Sequence, residues 1–269
     1  VSYDLHLLGT RQLLLTGEPF EARTLAQPKR FAVLAYLAVS GVEGCDWGSR
    51  DTLLALFWRG CESNRARKAL SQTLWFLAQD LGEDVVVKRG RSDVRVAAQH
   101  LRVDVGRFLS ACGEASASDA LEVYKGDFLA GFHLGGAPGF HHWLDTTRVR
   151  LRGLAVDVAW KLAERRASEG DIAGGRHSAL LALKIGATLD EGLLRRVMTF
   201  LSEHGDRASA LSAYESHVMA LAGDGYRPVD ETVGLADSIR RPGNPKEWPE
   251  RGPQVAFSSS DLGSALQHS

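Results

Sequence analysis

Ser63-Asn64-Arg65-Ala66-Arg67-Lys68-Ala69-Leu70-Ser71-Gln72-Thr73-Leu74-Trp75-Phe76-Leu77-Ala78-Gln79-Asp80-Leu81-Gly82 is the stretch on which the reading of this chain turns. Leu70, Leu74, Leu77 and Leu81 recur at helical spacing and give one continuous apolar stripe. An advance of about 100° per residue puts Arg65, Lys68, Gln72, Trp75 and Gln79 on the opposite face. Asn64, Arg67 and Ser71 flank that face. Ser63 is the expected N-cap, and Gly82 stands where a helix stops on a left-handed residue. Taken alone, the segment reads first as a solvated surface helix. Arginine, lysine, glutamine, asparagine and serine are also the side chains that reach phosphates and base edges in a major groove.

The flanking sequence decides between these readings. Upstream, Arg50-Asp51-Thr52-Leu53-Leu54-Ala55-Leu56-Phe57-Trp58 is a short amphipathic helix, with Ser49 or Asp51 as its cap. Downstream, Asp84-Val85-Val86-Val87-Lys88-Arg89-Gly90-Arg91-Ser92-Asp93-Val94-Arg95-Val96 is a pair of β-branched runs joined by a basic, Gly-containing turn, which predicts a hairpin. Helix, turn, longer basic helix and hairpin with a cationic tip is the order of a winged helix-turn-helix. The longer helix would enter the groove of double-stranded DNA, presenting Arg65, Arg67, Lys68, Ser71, Gln72 and Trp75. Lys88, Arg89 and Arg91 would touch the adjacent backbone from the wing.

Toward the N-terminus, Tyr3, Leu5 and Leu7 alternate with polar residues and predict a half-buried strand. Gln12 to Leu15 is a second strand, and Gly17 to Phe20 continues a small sheet or begins a loop. Pro28 opens a helix with Phe31, Leu34, Leu37 and Ala38 on one face. Residues 103–109 begin a change of architecture. From about Ser118 the chain reads as helix: Asp119 to Phe128, a Gly-rich loop from Gly126 to Gly139 packing Phe128, Leu129 and Phe132 inward, and a long helix from Phe140 to Glu169. Gly170-Asp171 recurs as Gly205-Asp206 after 35 residues, each pair followed by an alanine-rich helix. Helix-turn-helix units of about 34 residues are tetratricopeptide-like. Thr232 to Arg241 is a last helix. The expected fold is therefore an α+β winged helix-turn-helix over residues 1–107 and an all-α, tetratricopeptide-like repeat domain over 108–241. Residues 242–269, rich in Pro, Gly and Ser, read as a flexible tail or linker.

Composition agrees with a soluble globular protein, at 44% apolar and 24% charged residues. No run approaches 18 apolar residues, so no membrane span is expected, and the alternating pattern from Tyr3 leaves no place for a signal peptide. Cys45, Cys61 and Cys112 are too few and too scattered for a disulfide framework or a zinc site and suit a reducing cytoplasm. The net charge of -1 conceals a division: residues 1–107 carry 15 Lys and Arg against 12 Asp and Glu, and the remainder 17 against 21. The sign is that expected if the N-terminal part meets phosphates.

These parts, in this order, resemble a known family. Pro28-Lys29-Arg30-Phe31-Ala32-Val33-Leu34, Arg50 to Trp58, Arg65-Ala66-Arg67-Lys68-Ala69-Leu70 and the wing precede Tyr124-Lys125-Gly126-Asp127-Phe128-Leu129-Ala130-Gly131-Phe132, Trp143-Leu144-Asp145 and Arg148-Val149-Arg150-Leu151. The arrangement is similar to transcriptional activators of the antibiotic regulatory protein type, in which an OmpR-like winged helix is joined to a bacterial transcriptional activator domain. The resemblance covers about residues 3–241. It implies binding to direct repeats near promoters and recruitment of RNA polymerase. Trp75 to Asp80 replace the basic run with which that family usually ends this helix, and Thr146-Thr147 replace an acidic pair.

Enzyme signatures are missing: the sequence holds no Gly-x-x-x-x-Gly-Lys-Ser/Thr, His-Glu-x-x-His or Gly-x-Ser-x-Gly. His133, His141 and His142 lie close in sequence, but the adjacent pair points in different directions on a helix and reads as surface. Trp143 and Trp160 read as core anchors. The expectation is a cytoplasmic DNA-binding regulator with no catalytic activity, cofactor or metal, two copies sitting about 10–11 bp apart on tandem sites. The competing expectation is a protein–protein scaffold whose winged helix has lost DNA binding and whose Trp75-Phe76 pair anchors an interface.

Overall fold

The computed structural model describes residues 2–21, 26–45, 47–113, 116–186 and 190–241. The tail expected over 242–269 lies outside them. Three short strands open the chain: β1 (Tyr3–His6), β2 (Gln12–Leu15) and β3 (Glu18–Pro19). β1 pairs antiparallel with β2 in the register Tyr3 to Leu15, and β2 pairs with β3. Helix α1 (Pro28–Val42) then starts at a proline, whose missing N–H costs nothing in the first turn. Phe31, Leu34, Leu37 and Ala38 are buried as the periodicity requires, but so are Ala32, Val33, Ala35 and Val39. This helix is the central element of the N-terminal module.

β4 (Gly48–Ser49) leads into α2 (Arg50–Phe57), and Ser49, of the two caps considered, accepts the Asp51 N–H at 3.1 Å. The turn through Gly60 (φ 84°) leads to α3 (Ser63–Leu81). Its cap is Glu62, whose Oε1 accepts the Asn64 N–H, so the expected Ser63 cap is displaced by one residue. Gly82 ends the helix with φ 103°. The wing is β5 (Val86–Arg89) paired antiparallel with β6 (Asp93–Val96), and β4 adds a third strand along β6.

Two strands were not evident in the sequence, β4, which stands where a loop and a cap were expected, and a longer one. β7 (Leu101–Val103) pairs parallel with β1 and completes a four-stranded sheet of order β3-β2-β1-β7. Helix α4 (Asp104–Gly113) follows without a break. Its first residue, Asp104, is buried and accepts the N–H groups of Leu7 (2.8 Å), Leu8 (2.9 Å) and Val105 (2.8 Å). The carboxylate thereby satisfies the amides where β1 ends.

Helix α5 spans Ala117–Val123 and stops there, shorter than the expected Asp119–Phe128. Beyond it the chain turns and docks on the N-terminal sheet. Leu129 N–H donates to the Leu7 carbonyl (2.7 Å), Gly9 N–H donates to the Asp127 carbonyl (3.0 Å), and Leu8 and Phe128 form an antiparallel bridge. Backbone pairing with Leu7 to Gly9, just past β1, replaces helix continuation, and Phe128 and Leu129 bury completely in that pose.

Helix α6 (Pro138–Ser168) reads both ways. Its first half carries Phe140 and Trp143 into a cluster with Phe57 and Tyr36 of the winged helix; Phe57 and Phe140 ring centroids lie 5.1 Å apart, Tyr36 and Trp143 also 5.1 Å. One continuous core runs from Tyr3 to Val158. The second half, from Trp160, belongs to a separate core with α7 (Ile172–Ile185), α8 (Glu191–Glu203), α9 (Arg207–Gly223) and α10 (Asp230–Arg240). The repeated Gly-Asp turns have the expected form: Gly170 and Gly205 adopt φ 88° and 81°, and Asp171 and Asp206 cap α7 and α9.

Candidate nucleic-acid interface

Leu70, Leu74, Leu77 and Leu81 are all buried, which fixes the rotation of α3 about its axis. The opposite face is consequently turned to solvent: Arg65, Arg67, Lys68, Ser71, Gln72, Trp75 and Gln79 are exposed. Thr73, which the leucine stripe did not single out, is buried with them. Among the described residues, Arg65, Arg67 and Lys68 enter no ion pair. The face therefore keeps its charge available for an anionic partner.

Trp75 and Phe76 differ in their surroundings. Trp75 is 52% exposed. Phe76 is half-buried, with the Arg30 guanidinium 3.6 Å from its ring centroid and the Trp75 ring edge-on at 4.9 Å. Cation–π stacking on Phe76 thus braces the indole from behind, and Trp75 alone projects from the helix.

The wing residues divide similarly. Lys88 and Arg91 are exposed, and Arg91 sits in the turn after Gly90 (φ 61°). Arg89 is exposed too, but it pairs with Asp93 across the hairpin (2.9 Å) and lies over the Trp47 ring at 4.4 Å. Arg95 lies on the same ring at 4.6 Å. An ion pair this open to water is weak, so the Arg89 guanidinium, held between Asp93 and the Trp47 ring, can be drawn to a stronger anion. Sequence reasoning missed Trp47, which the alternation of the hairpin does not reveal.

A further arginine completes the group. Arg50, read in the sequence only as the start of a helix, is half-buried and faces a cleft shared with Arg67 and Arg91. No spacing rule links residues 50, 67 and 91, and only the fold brings them together. The Arg50 N–H donates to the Ser92 carbonyl at 2.8 Å and ties the wing tip to α2.

The histidines sit apart from this face. His133 and His141 rings stack 4.4 Å apart, and His141 Nε2 contacts the Leu134 carbonyl at 2.7 Å. Among the described residues no three His, Cys, Asp or Glu side chains converge as a metal site. Trp160 is buried in the second core, and Trp143 is half-buried among aromatic rings. No helix of the described residues is long and apolar enough to cross a membrane.

The segment before α6 is held by arginines of that helix. Arg148 donates to the carbonyls of Phe128 (2.9 Å) and Phe132 (3.3 Å), and Arg152 Nε to Asp127 Oδ1 (2.9 Å). The hydrogen bond from Arg152 is the main cause that holds the Asp127 carboxyl below the usual carboxylate range. Burial, with Asp127 beside it, pushes the Tyr124 phenol up to about 12. These contacts hold the segment that pairs with Leu7 to Gly9.

The fold is a winged helix-turn-helix with an attached helical domain. The family model of the bacterial transcriptional activator domain matches residues 87–240, more than half of the chain. The chain belongs to that family. A solved structure of Mycobacterium tuberculosis EmbR in complex with a low affinity phosphopeptide is similar in fold, with a TM-score of 0.57 and 21% identity. The match covers 88% of this chain and 64% of that one, so the chain spans less than two-thirds of the length of that structure. No curated protein matches.

Proposed function

We propose that this regulator binds double-stranded DNA through α3 and the wing, at direct repeats near promoters, and contacts RNA polymerase from there. The observation that carries the reading is the face of α3. Seven exposed side chains on it are polar, cationic or aromatic, none of its cations is neutralised by a described carboxylate, and the buried leucines leave it no other orientation. Arg65, Arg67, Lys68, Ser71, Gln72 and Trp75 meet the major groove, and Lys88, Arg89 and Arg91 meet the backbone beside it. Tandem copies sit roughly 10–11 bp apart, on one side of the duplex. The helical module, fused to the winged helix by a common core, supports self-association and polymerase contact.

The reading is tested by comparing two substitutions on α3 in DNA-binding titrations. Lys68→Ala removes a phosphate contact, so it weakens binding to every sequence and reduces the slope of log affinity against log salt by roughly 1. Gln72→Ala removes a base contact, so it changes which sequence is preferred, by about 1–3 kcal/mol at the affected position. Binding indistinguishable from the parent in both variants would remove α3 from the interface. If the parent itself shows no salt-dependent DNA binding, Trp75 becomes the anchor of a protein contact.

A further inference from the structure

We infer that Arg50, Arg67 and Arg91 together clamp a single backbone phosphate of bound DNA; this rests on the DNA-binding reading above. The three residues come from three elements: the first residue of α2, the second turn of α3 and the tip of the wing. They line one cleft of about 560 Å³ with Leu54 and Leu70 beside them. Asp51 is the single carboxylate among its lining residues, which leaves the cleft with an excess of two positive charges. None of the three guanidiniums is ion-paired or hydrogen-bonded through its side chain to another described residue.

Like charges lining one cleft repel one another, and an anion held between them offsets part of that repulsion. A half-buried arginine with no partner, as Arg50 is, therefore points to a ligand. Guanidiniums that line one cleft can donate in pairs to the two non-bridging oxygens of a backbone phosphate, as they would to a carboxylate. Position chooses the source. Arg67 adjoins Lys68 on the groove face, and Arg91 is in the wing turn, so a phosphate held between them belongs to the strand that passes between recognition helix and wing. The Arg50 N–H to Ser92 carbonyl bond holds the third side of the clamp in place before DNA arrives. Arg50 is thus a positioning residue: it fixes the register in which Gln72 and Ser71 meet base edges.

The test uses the full chain and a duplex enriched by it from random-sequence DNA, with neutral methylphosphonate replacing one phosphate at a time. Arg50→Ala is expected to weaken binding to the unmodified duplex roughly 10- to 100-fold and to lower the salt slope by about 0.9. One methylphosphonate position should weaken the parent by a similar factor and have almost no further effect on Arg50→Ala. Arg67→Ala and Arg91→Ala should be insensitive at that same position. Arg50→Lys keeps the charge, so it should restore the salt slope but only part of the affinity. Thermal unfolding of each variant checks that the fold is intact. Full affinity in folded Arg50→Ala, or insensitivity at three different phosphates, would overturn the clamp and leave DNA binding standing. In a parallel arm without DNA, inorganic phosphate is titrated in thermal unfolding. Arg50-dependent stabilisation there, with no salt-dependent DNA binding by the parent, would assign the cleft to a phosphorylated small molecule and overturn both readings.

Discussion

Gly9 lies against Lys125 so closely that a Cβ on Gly9 would stand 2.8 Å from the Lys125 carbonyl carbon. The contact joins the β1–β2 turn of the winged helix to the segment between α5 and α6. Gly9 also adopts φ 84°, which side-chain-bearing residues rarely do. The joint between the two modules is therefore backbone against backbone, and Arg148 and Arg152 hold its far side. The winged helix and the first half of α6 thus share this joint and one core.

Gly9→Ala should accordingly destabilise the whole chain, by about 1–3 kcal/mol from strain and displacement at the joint. Denaturant unfolding followed by tryptophan fluorescence checks this, since Trp143 lies in the core that spans both modules. A matched Gly17→Ala control has open space around it and a similar positive φ of 91°, so it reports the conformational cost alone. Gly9→Ala should exceed it clearly.

Stability should also depend on acid through Asp127. Its folded-state carboxyl is depressed, with Arg152 as the main cause. The contribution of this pair is present above the ordinary aspartate range and is lost as the pH falls through the depressed value. Arg152→Ala should remove that acid limb from the pH profile of thermal unfolding while leaving the profile above neutrality parallel to the parent. An unchanged acid limb in the variant would mean that Asp127 is not the group that titrates.

The helix caps in the repeat give a local test. Asp206→Ala deprives the Ser209 N–H of its acceptor, which lies at 3.1 Å, and should cost about 1 kcal/mol. Asp171→Ala should cost a similar amount through the Gly174 N–H, at 2.9 Å. Asn at either position should restore most of the loss in chemical unfolding.

How much of this was legible in the sequence follows from the range of the interactions involved. The leucine stripe of α3, the Gly-Asp turns and the Pro28 helix start depend on residues within a few positions of one another, and the sequence displays them. β7 does not. Leu101-Arg102-Val103 is three residues long, and its identity as a strand comes from pairing with Tyr3-Asp4-Leu5. Asp104 looked like part of a passage between domains, yet it accepts amides from Leu7 and Leu8 across 97 and 96 residues. The helix expected through Phe128 failed for the same reason: its apolar spacing is helical, but the Leu8–Phe128 bridge and the carbonyls offered to Arg148 hold residues 126–129 in a bend and turn instead. At the interface, the exposed side of α3 follows from periodicity, whereas the meeting of Arg50 with Arg67 and Arg91 depends on tertiary folding alone.

The most direct measurement of the central claim is selection of random-sequence duplex DNA by the purified chain at several salt concentrations, followed by sequencing. The account predicts enrichment of direct repeats with a spacing of roughly 10–11 bp, and affinity that falls steeply as salt rises. Absence of enrichment, together with retention that does not respond to salt, would contradict it. The exposed face of α3 would then belong to a protein partner.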